Sequence, residues 1–112
     1  MRGFVITVDG RVEDIPDLSF AGMQELVGGY VELIKFGRSG CAYLNEDGKG
    51  LGLPYNRLAT LLCLYFRVGL APGDFIVGPL IITGPLDRDG NDTDIATQVA
   101  DTILWLHARY QR

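Results

Sequence analysis

A polar cluster in two turn-like segments, NEDG and LPYN, holds the side chains best placed for ligand chemistry. Asn45 and Glu46 follow a strand-like run, and Asn56 precedes a long apolar stretch that begins at Arg57. Strand ends and helix N-termini often line ligand clefts, so we expect these side chains to approach one another. The competing interpretation is that each one serves only a turn or a helix cap. The predicted ligand-binding residues are Gln24, Tyr30, Asn45, Glu46, Asn56 and Arg57.

No catalytic or metal-binding constellation is predicted, and no cofactor is expected. His107 is the only histidine, and its place beside an apolar helical stripe favours a structural role. Cys41 and Cys63 fall in a predicted strand and a predicted buried helix, so we expect buried free thiols rather than a disulfide or zinc ligands. An enzyme is the weakest hypothesis. It would use Glu46 or Glu32 as general acid or base if that carboxyl were buried.

Two short motifs look like ion-binding loops but fit simpler roles. Gly28 and Gly29 follow a predicted helix, whereas the glycines of a phosphate loop follow a strand and precede a helix. We therefore expect Gly28 to end the helix in the left-handed conformation. The segment DRDGNDTD resembles a calcium loop, but Asp92 and Gln98 stand where glycine and a bidentate glutamate are needed. A turn that leads into a helix cap is favoured.

The charge balance argues against nucleic-acid and membrane partners. The chain has 112 residues with 10 basic and 14 acidic side chains, which gives a net charge of −4. The basic residues are scattered singly and form no nucleic-acid footprint, and an acidic surface disfavours anionic membranes. No apolar run approaches the ~20 residues that span a bilayer. We expect one domain over residues 1–112 and a cytoplasmic location.

Hydrophobic periodicity and turn residues predict a small α+β domain with the element order ββα-ββ(β)-α-β-α. A mainly antiparallel sheet of about five to six strands should be packed by about three helices. Asp9-Gly10 indicates a type I′ hairpin, Asp17 or Ser19 should cap the first helix, and Pro79 should place the last strand at an edge or make it bulge. The predicted strands cover residues 4–8, 11–15, 30–36, 41–45 and 74–82, with a short sixth strand considered within 49–54. The predicted helices cover residues 20–27, 57–68 and 94–110, with Asn56 capping the second and Asp92 or Thr93 the third.

The last helix carries a tryptophan outside its apolar stripe. At 100° per residue, Trp105 falls among polar side chains, and an exposed tryptophan calls for a partner. The alternative is that its ring folds over a loop of the same subunit. The nearly all-apolar helix at 57–68 adds further surface. We expect a homodimer or higher oligomer, with Trp105, Leu104 and Leu64 as interface residues. The predicted stripe is Ile95, Val99, Ile103, Leu106 and Tyr110.

Three segments carry a family resemblance: MQELVGGYVELI, LNEDGKGLGLPYNRLAT and IVGPLIITG. In that order they resemble a small domain of unknown function, family 3846, with the pattern Q-x-x-V-G-G-Y-[IV]-E, then N-E-x-G-K, then L-P-x-N. The resemblance runs from the first hairpin to about Ile82, and the chain departs from the family in the helix at 57–68 and in the C-terminal helix with Trp105. The matching positions are Gln24, Gly28, Gly29, Tyr30, Glu32, Asn45, Glu46, Gly48, Lys49, Pro54 and Asn56.

The resemblance implies a setting rather than an activity. The family occurs in bacteriophages, plasmids and bacteria, which implies an accessory protein of a mobile element. Together with the missing catalytic constellation, this favours a non-catalytic protein that binds or sequesters a small polar or nucleotide-like ligand, with a counter-defence role in the host cytoplasm. The alternative is an interaction module that inhibits a host enzyme.

Overall fold

The computed structural model describes residues 1–36, 38–67 and 70–110, and within these ranges the predicted α+β class is confirmed. The strands are β1 (Gly3–Ile6), β2 (Val12–Ile15), β3 (Val31–Lys35), β4 (Cys41–Asn45) and β5 (Leu80–Thr83). The helices are α1 (Phe20–Val27), α2 (Arg57–Phe66) and α3 (Thr97–Tyr110). The sixth strand considered within residues 49–54 is not formed. That segment is a series of turns, followed by a single bridge between Tyr55 and Val77.

The strands form one antiparallel sheet in the order β2-β1-β5-β4-β3. The last strand in sequence, β5, lies at the centre, and all four of its residues are buried. It is shorter than the predicted strand at 74–82 because Gly78 has φ 72° and Pro79 has no N–H to donate. The break at Gly78-Pro79 was one of the two alternatives predicted. The other alternative, an edge position, is wrong.

The β1–β2 hairpin is present, but its turn is not type I′. The Gly10 N–H donates to the Thr7 carbonyl at 3.1 Å, and the Thr7 N–H donates to the Arg11 carbonyl at 2.9 Å. Gly10 has φ 85°, whereas Asp9 is not among the residues with positive φ. A type I turn followed by one left-handed glycine fits this geometry. The Asp-Gly pair therefore marked the hairpin correctly, and only the turn type was wrong.

Helices cover both faces of the sheet. The face under α1 forms one core, composed of Val5, Leu18, Met23, Val27, Cys41, Tyr43 and Ile81. The opposite face carries the larger core, in which α2 and α3 pack on β1, β4 and β5 through residues such as Phe4, Ile6, Leu62, Leu80, Ile82 and Ile103. Cys41 and Cys63 lie in different cores, and both are buried free thiols, as predicted.

The first helix begins and ends where the sequence indicates. The Ser19 Oγ accepts a hydrogen bond from the Gly22 N–H at 3.0 Å, so Ser19 rather than Asp17 is the cap. Gly28 adopts φ 78° and its N–H donates to the Gln24 carbonyl, as expected of a helix stop. The glycine pair is therefore the joint between α1 and β3.

The other two helices differ from the prediction at their ends. Phe66 is the last residue of α2, because Arg67 turns left-handed with φ 57°. Val68, Gly69 and the turn residue Gly37 lie outside the described residues. Thr97 begins α3, later than expected, because Asp92 and Thr93 bond to other segments: the Tyr43 hydroxyl donates to Asp92, and the Thr93 hydroxyl donates to the Pro85 carbonyl. Across the described ranges, no helix has both the length and the apolar character to cross a membrane.

Candidate functional site

Asn56 holds three parts of the fold together and is closed to a ligand. Its Oδ1 accepts from the Ala59 N–H at 3.0 Å, which caps α2. Its Nδ2 donates to the Ile6 carbonyl at 2.9 Å and to the Gly78 carbonyl at 2.8 Å. Both amide hydrogens are therefore used, and the residue is 0% exposed. The side chain ties the start of α2 to the end of β1 and to the break before β5.

Asn45 plays the same kind of role on the other side of the sheet. Its Nδ2 donates to the Val27 carbonyl at 3.0 Å, and its Oδ1 accepts from the Asp47 N–H at 2.8 Å. A Cβ added at Gly29 would lie 3.1 Å from the Asn45 Nδ2. Gly29 therefore allows a close approach of the chain to Asn45, and a larger residue would press on the Asn45 amide. The side chain joins the end of β4 to the last turn of α1.

The predicted shared site of Asn45, Glu46 and Asn56 is wrong. Asn45 bonds to α1 on one face of the sheet, whereas Asn56 caps α2 on the opposite face. Tyr30 does lie beside Glu46, because the Glu46 N–H donates to the Tyr30 carbonyl at 2.9 Å. Gln24 is near the same end of α1 through its backbone carbonyl, which accepts from Gly28 and Gly29. The six predicted residues thus divide into a group around the end of α1 and a group at the start of α2.

Glu46 lines a cleft of about 330 Å³ between β3, β4 and the segment before β5. The Lys49 ammonium pairs there with Asp74 and lies 4.9 Å from the centre of the Phe75 ring. This pair holds the pKa of Asp74 below its ordinary value, mainly through the hydrogen bond from Lys49. Glu46 itself is exposed, so the burial on which the acid–base hypothesis depended is missing. The Lys49 charge is already matched by Asp74.

A second cleft, of about 270 Å³, gathers residues that local sequence patterns do not connect. It lies between the β1–β2 turn, the first turns of α2 and the end of α3. Its lining residues are Val8, Asp9, Gly10, Arg11, Arg57, Leu58, Leu61, His107 and Tyr110. Of the predicted site residues, only Arg57 lies here. Cations and hydrogen-bonding groups from three separate parts of the chain thus face one small space, which we call the turn–helix cleft.

His107 is the residue of this cleft with unmet hydrogen-bonding capacity. Its Nε2 is buried and has no hydrogen-bond partner among the described residues. A buried polar atom without a partner is uncommon in native proteins and calls for a ligand, a water or an ion. The sequence predicted a structural histidine because only the apolar stripe of α3 was visible in the local pattern. One signal could have indicated a binding role for His107: this single histidine lies one helical turn from Tyr110, near a predicted helix end.

The charges in the turn–helix cleft are unevenly matched. The Arg11 Nε lies 3.1 Å from the Asp9 carboxylate, and its Nη1 lies 3.9 Å from Glu13. A hydrogen bond from the Thr7 hydroxyl, and to a smaller extent one from Arg11, holds the pKa of Asp9 below its ordinary value. Arg57 forms no salt bridge with any residue in the described ranges. The first turn of α2 contains no acidic residue to offset the positive end of the helix.

The residues predicted for self-association are exposed, as that hypothesis requires. Trp105 is 52% exposed, and Leu104 and Leu64 are also exposed. The Arg109 guanidinium on the same helix lies 4.7 Å from the centre of the Trp105 ring, in a cation–π arrangement. The oligomer through these residues stays a prediction.

Comparisons with known proteins place the chain in a family. The sequence model of a family described as a domain of unknown function (DUF3846) matches residues 1–107, which is nearly the whole chain. A search of curated proteins and a search of solved structures each found no match. The match covers both clefts except for Tyr110. The chain belongs to the DUF3846 family.

Proposed function

We propose that this protein is a non-catalytic binding protein for a small anionic ligand, held in the turn–helix cleft. The observation that carries the proposal is the buried Nε2 of His107, which has no partner in the described part of the chain, on a side chain that lines a cleft together with Arg57. A rotation of the imidazole that opens Nε2 to the cleft would let a ligand oxygen supply the missing hydrogen bond. The same oxygen would face a cation that has no acidic partner among the described residues.

The charge of the cleft favours an anion although the whole chain is acidic. Two arginines line the cleft against one aspartate, and that aspartate is already bound by Thr7 and Arg11. The backbone N–H groups of Arg57 and Leu58 donate to no acceptor in the described ranges. Such N–H groups at a helix start bind phosphate and carboxylate oxygens well, because the helix dipole adds to the attraction.

The size of the cleft limits the ligand. Its volume of about 270 Å³ lies just below the range of about 300–1,000 Å³ that is typical for drug-sized ligands. Leu58, Leu61 and Val8 give the walls an apolar part. A metabolite with one phosphate or carboxylate group and a small apolar or ring-shaped body fits this description. This is a narrower form of the polar or nucleotide-like ligand expected from the sequence, and a role in sequestering such a molecule for a mobile element stays a prediction.

A titration followed by nuclear magnetic resonance tests the proposal. Inorganic phosphate and AMP are added separately, and the backbone amide signals of Arg57 and Leu58 are followed together with the ring signals of His107. We expect these signals to move along one saturating curve. Since charge-assisted hydrogen bonds are roughly twice as strong as neutral ones, Arg57→Gln should weaken binding about tenfold or more. Binding should also weaken as salt is added.

One control variant and a second cleft variant separate binding at the cleft from general charge effects. Arg88→Gln removes one exposed arginine outside the cleft and should leave the dissociation constant unchanged. His107→Leu should weaken binding while the amide signals of the sheet stay in place. If neither probe shifts the cleft signals at millimolar concentration, or if Arg88→Gln weakens binding as much as Arg57→Gln does, the proposal is wrong.

A further inference from the structure

The β3 edge of the sheet presents a row of backbone groups that have no partner among the described residues. Of the five strands described, only β4 pairs with β3, because β3 is the last strand in the sheet order. The Phe36 N–H donates to the Gly40 carbonyl, and the Glu46 N–H donates to the Tyr30 carbonyl. Hydrogen-bonded pairs alternate along an antiparallel ladder. With this register, the N–H and C=O groups of Val31, Leu33 and Lys35 point away from the sheet.

The opposite edge of the sheet is protected more strongly than β3, in which the charged residue with outward groups is Lys35 at the end of the strand. In β2 the same alternation leaves only Val12 and Asp14 with outward groups. Asp14 is charged and forms a salt bridge with Arg2 at 2.9 Å, and Pro16 follows the strand directly. Charges and proline are the usual means by which edge strands avoid pairing. The centre of β3 instead presents Leu33, which is 39% exposed.

We propose that β3 pairs with β3 of a second copy of this chain, antiparallel, around a two-fold axis at Leu33. In this register Leu33 lies opposite Leu33 of the second copy, and Val31 lies opposite Lys35 of the second copy. All three residues with outward groups then find both a donor and an acceptor. The two sheets become one continuous sheet across the axis.

The side chains of β3 suit this pairing with itself. On the α1 face, the two exposed Leu33 side chains meet and each Lys35 meets a Val31. On the other face, each Glu32 meets an Ile34. No two like charges stand opposite each other, which would destabilise a strand pair. Tyr30 is 71% exposed and directly precedes the strand, so further apolar surface is available at the end of the paired segment. Since a closed two-fold dimer is the commonest assembly of identical chains, a second copy is the occupant we assign.

A pair of proline variants tests the use of the outward groups. The Leu33 N–H points away from the sheet, so Leu33→Pro removes no hydrogen bond within the subunit. Ile34→Pro removes the bond to β4 and should unfold or strongly destabilise the chain. Sedimentation velocity over a range of concentrations should report a species of twice the 12.3 kDa chain mass for the natural sequence. Leu33→Pro should give a folded monomer at every concentration.

A pair of charge variants tests the register. Val31→Glu places a carboxylate opposite Lys35 of the second copy, and Val31→Lys places two like charges there. Both substitute the same half-buried position, so their effects on the subunit fold should be similar. Because the contact occurs twice in the dimer, Val31→Glu should have a dissociation constant about two- to thirty-fold lower than Val31→Lys.

The outcomes decide between this edge and other surfaces. A mass of 12.3 kDa at all concentrations for the natural sequence overturns the proposal. A dimer that stays intact in Leu33→Pro also overturns the proposal. If Trp105→Ala is the only variant that dissociates the dimer, the interface lies on α3 instead. None of the β3 residues lines the turn–helix cleft, so these results are independent of the ligand titration.

Discussion

The replacement of Asn56 by aspartate should destabilise the fold even though aspartate is as good a helix cap as asparagine. At an ordinary N-cap the two residues are nearly equivalent, because each offers a side-chain oxygen to the helix N–H groups. Asn56 also donates from Nδ2 to the carbonyl oxygens of Ile6 and Gly78, at 2.9 and 2.8 Å. Aspartate would place an ionised oxygen against these two acceptors, in a position with 0% exposure.

The expected magnitude follows from the bonds that are lost. Each buried carbonyl that loses its donor costs about 1–3 kcal/mol, and burial of the new charge adds to this. We therefore expect Asn56→Asp to lower the free energy of unfolding by about 3–5 kcal/mol. That is a large share of the roughly 5–15 kcal/mol that stabilises a typical domain. Asn56→Ala, which also loses the cap, should cost about 3–4 kcal/mol.

Urea unfolding followed by circular dichroism measures these differences. At a slope of about 1–3 kcal/mol per molar urea, the midpoint for Asn56→Asp should fall by about 1–5 M. The matched control is Ser19→Asp, since the Ser19 side chain is exposed and accepts from the Gly22 N–H alone among the described residues. That variant should stay within about 0.5 kcal/mol of the natural sequence. The penalty for Asn56→Asp should shrink at low pH, where the protonated carboxyl can donate to one carbonyl. An Asn56→Asp variant as stable as Ser19→Asp would refute the three-way role of Asn56.

Three further predictions concern reactivity, glycine positions and acid stability. Burial raises the pKa of the Cys63 thiol to about 11 and also raises that of Cys41, so neither should react with Ellman's reagent at pH 8 until the chain is unfolded by urea. Gly40→Ala should lower the free energy of unfolding in urea by about 2 kcal/mol or more, because the new Cβ would overlap a backbone carbonyl of β5. Gly50→Ala should be nearly neutral, because a Cβ at Gly50 would lie 3.5 Å from its nearest atom. Hydrogen bonds from backbone N–H groups hold the pKa of Asp87 below its ordinary value of 3.8. The stability from Asp87 is therefore present above pH 3.8 and is lost as the pH falls through the lowered pKa, so the drop in urea midpoint between pH 5 and pH 2 should be smaller in Asp87→Asn.

Local signals in the sequence identified the elements because each of those signals acts within a few residues. A serine three residues before a helical N–H makes a cap, and a glycine at the end of α1 can turn left-handed without strain. Residue type alone predicted that Gly28 ends the helix and limited the cap to Asp17 or Ser19, and the structure shows the cap at Ser19. The same holds for the burial of Cys41 and Cys63, which follows from the apolar runs around them. The end of α2 at Arg67 was missed, because a left-handed arginine has no distinctive pattern.

The order of the strands and the place of each polar residue were decided by the tertiary structure. The residues of Leu80–Thr83 do not indicate that this strand lies between β1 and β4. The sheet order depends on how the apolar side chains of the two sheet faces are buried under the helices. Asn45 and Asn56 each lie at the end of a predicted element, yet the two faces of the sheet separate them, since α1 covers one face and α2 the other. The turn–helix cleft joins a hairpin turn, a helix start and a helix end that are about fifty residues apart in sequence. Residue type indicated that Arg57 binds a ligand, whereas it favoured a structural role for His107. Only the packing of α2 against α3 brings these two residues to the same cleft, because long-range contacts leave no local pattern.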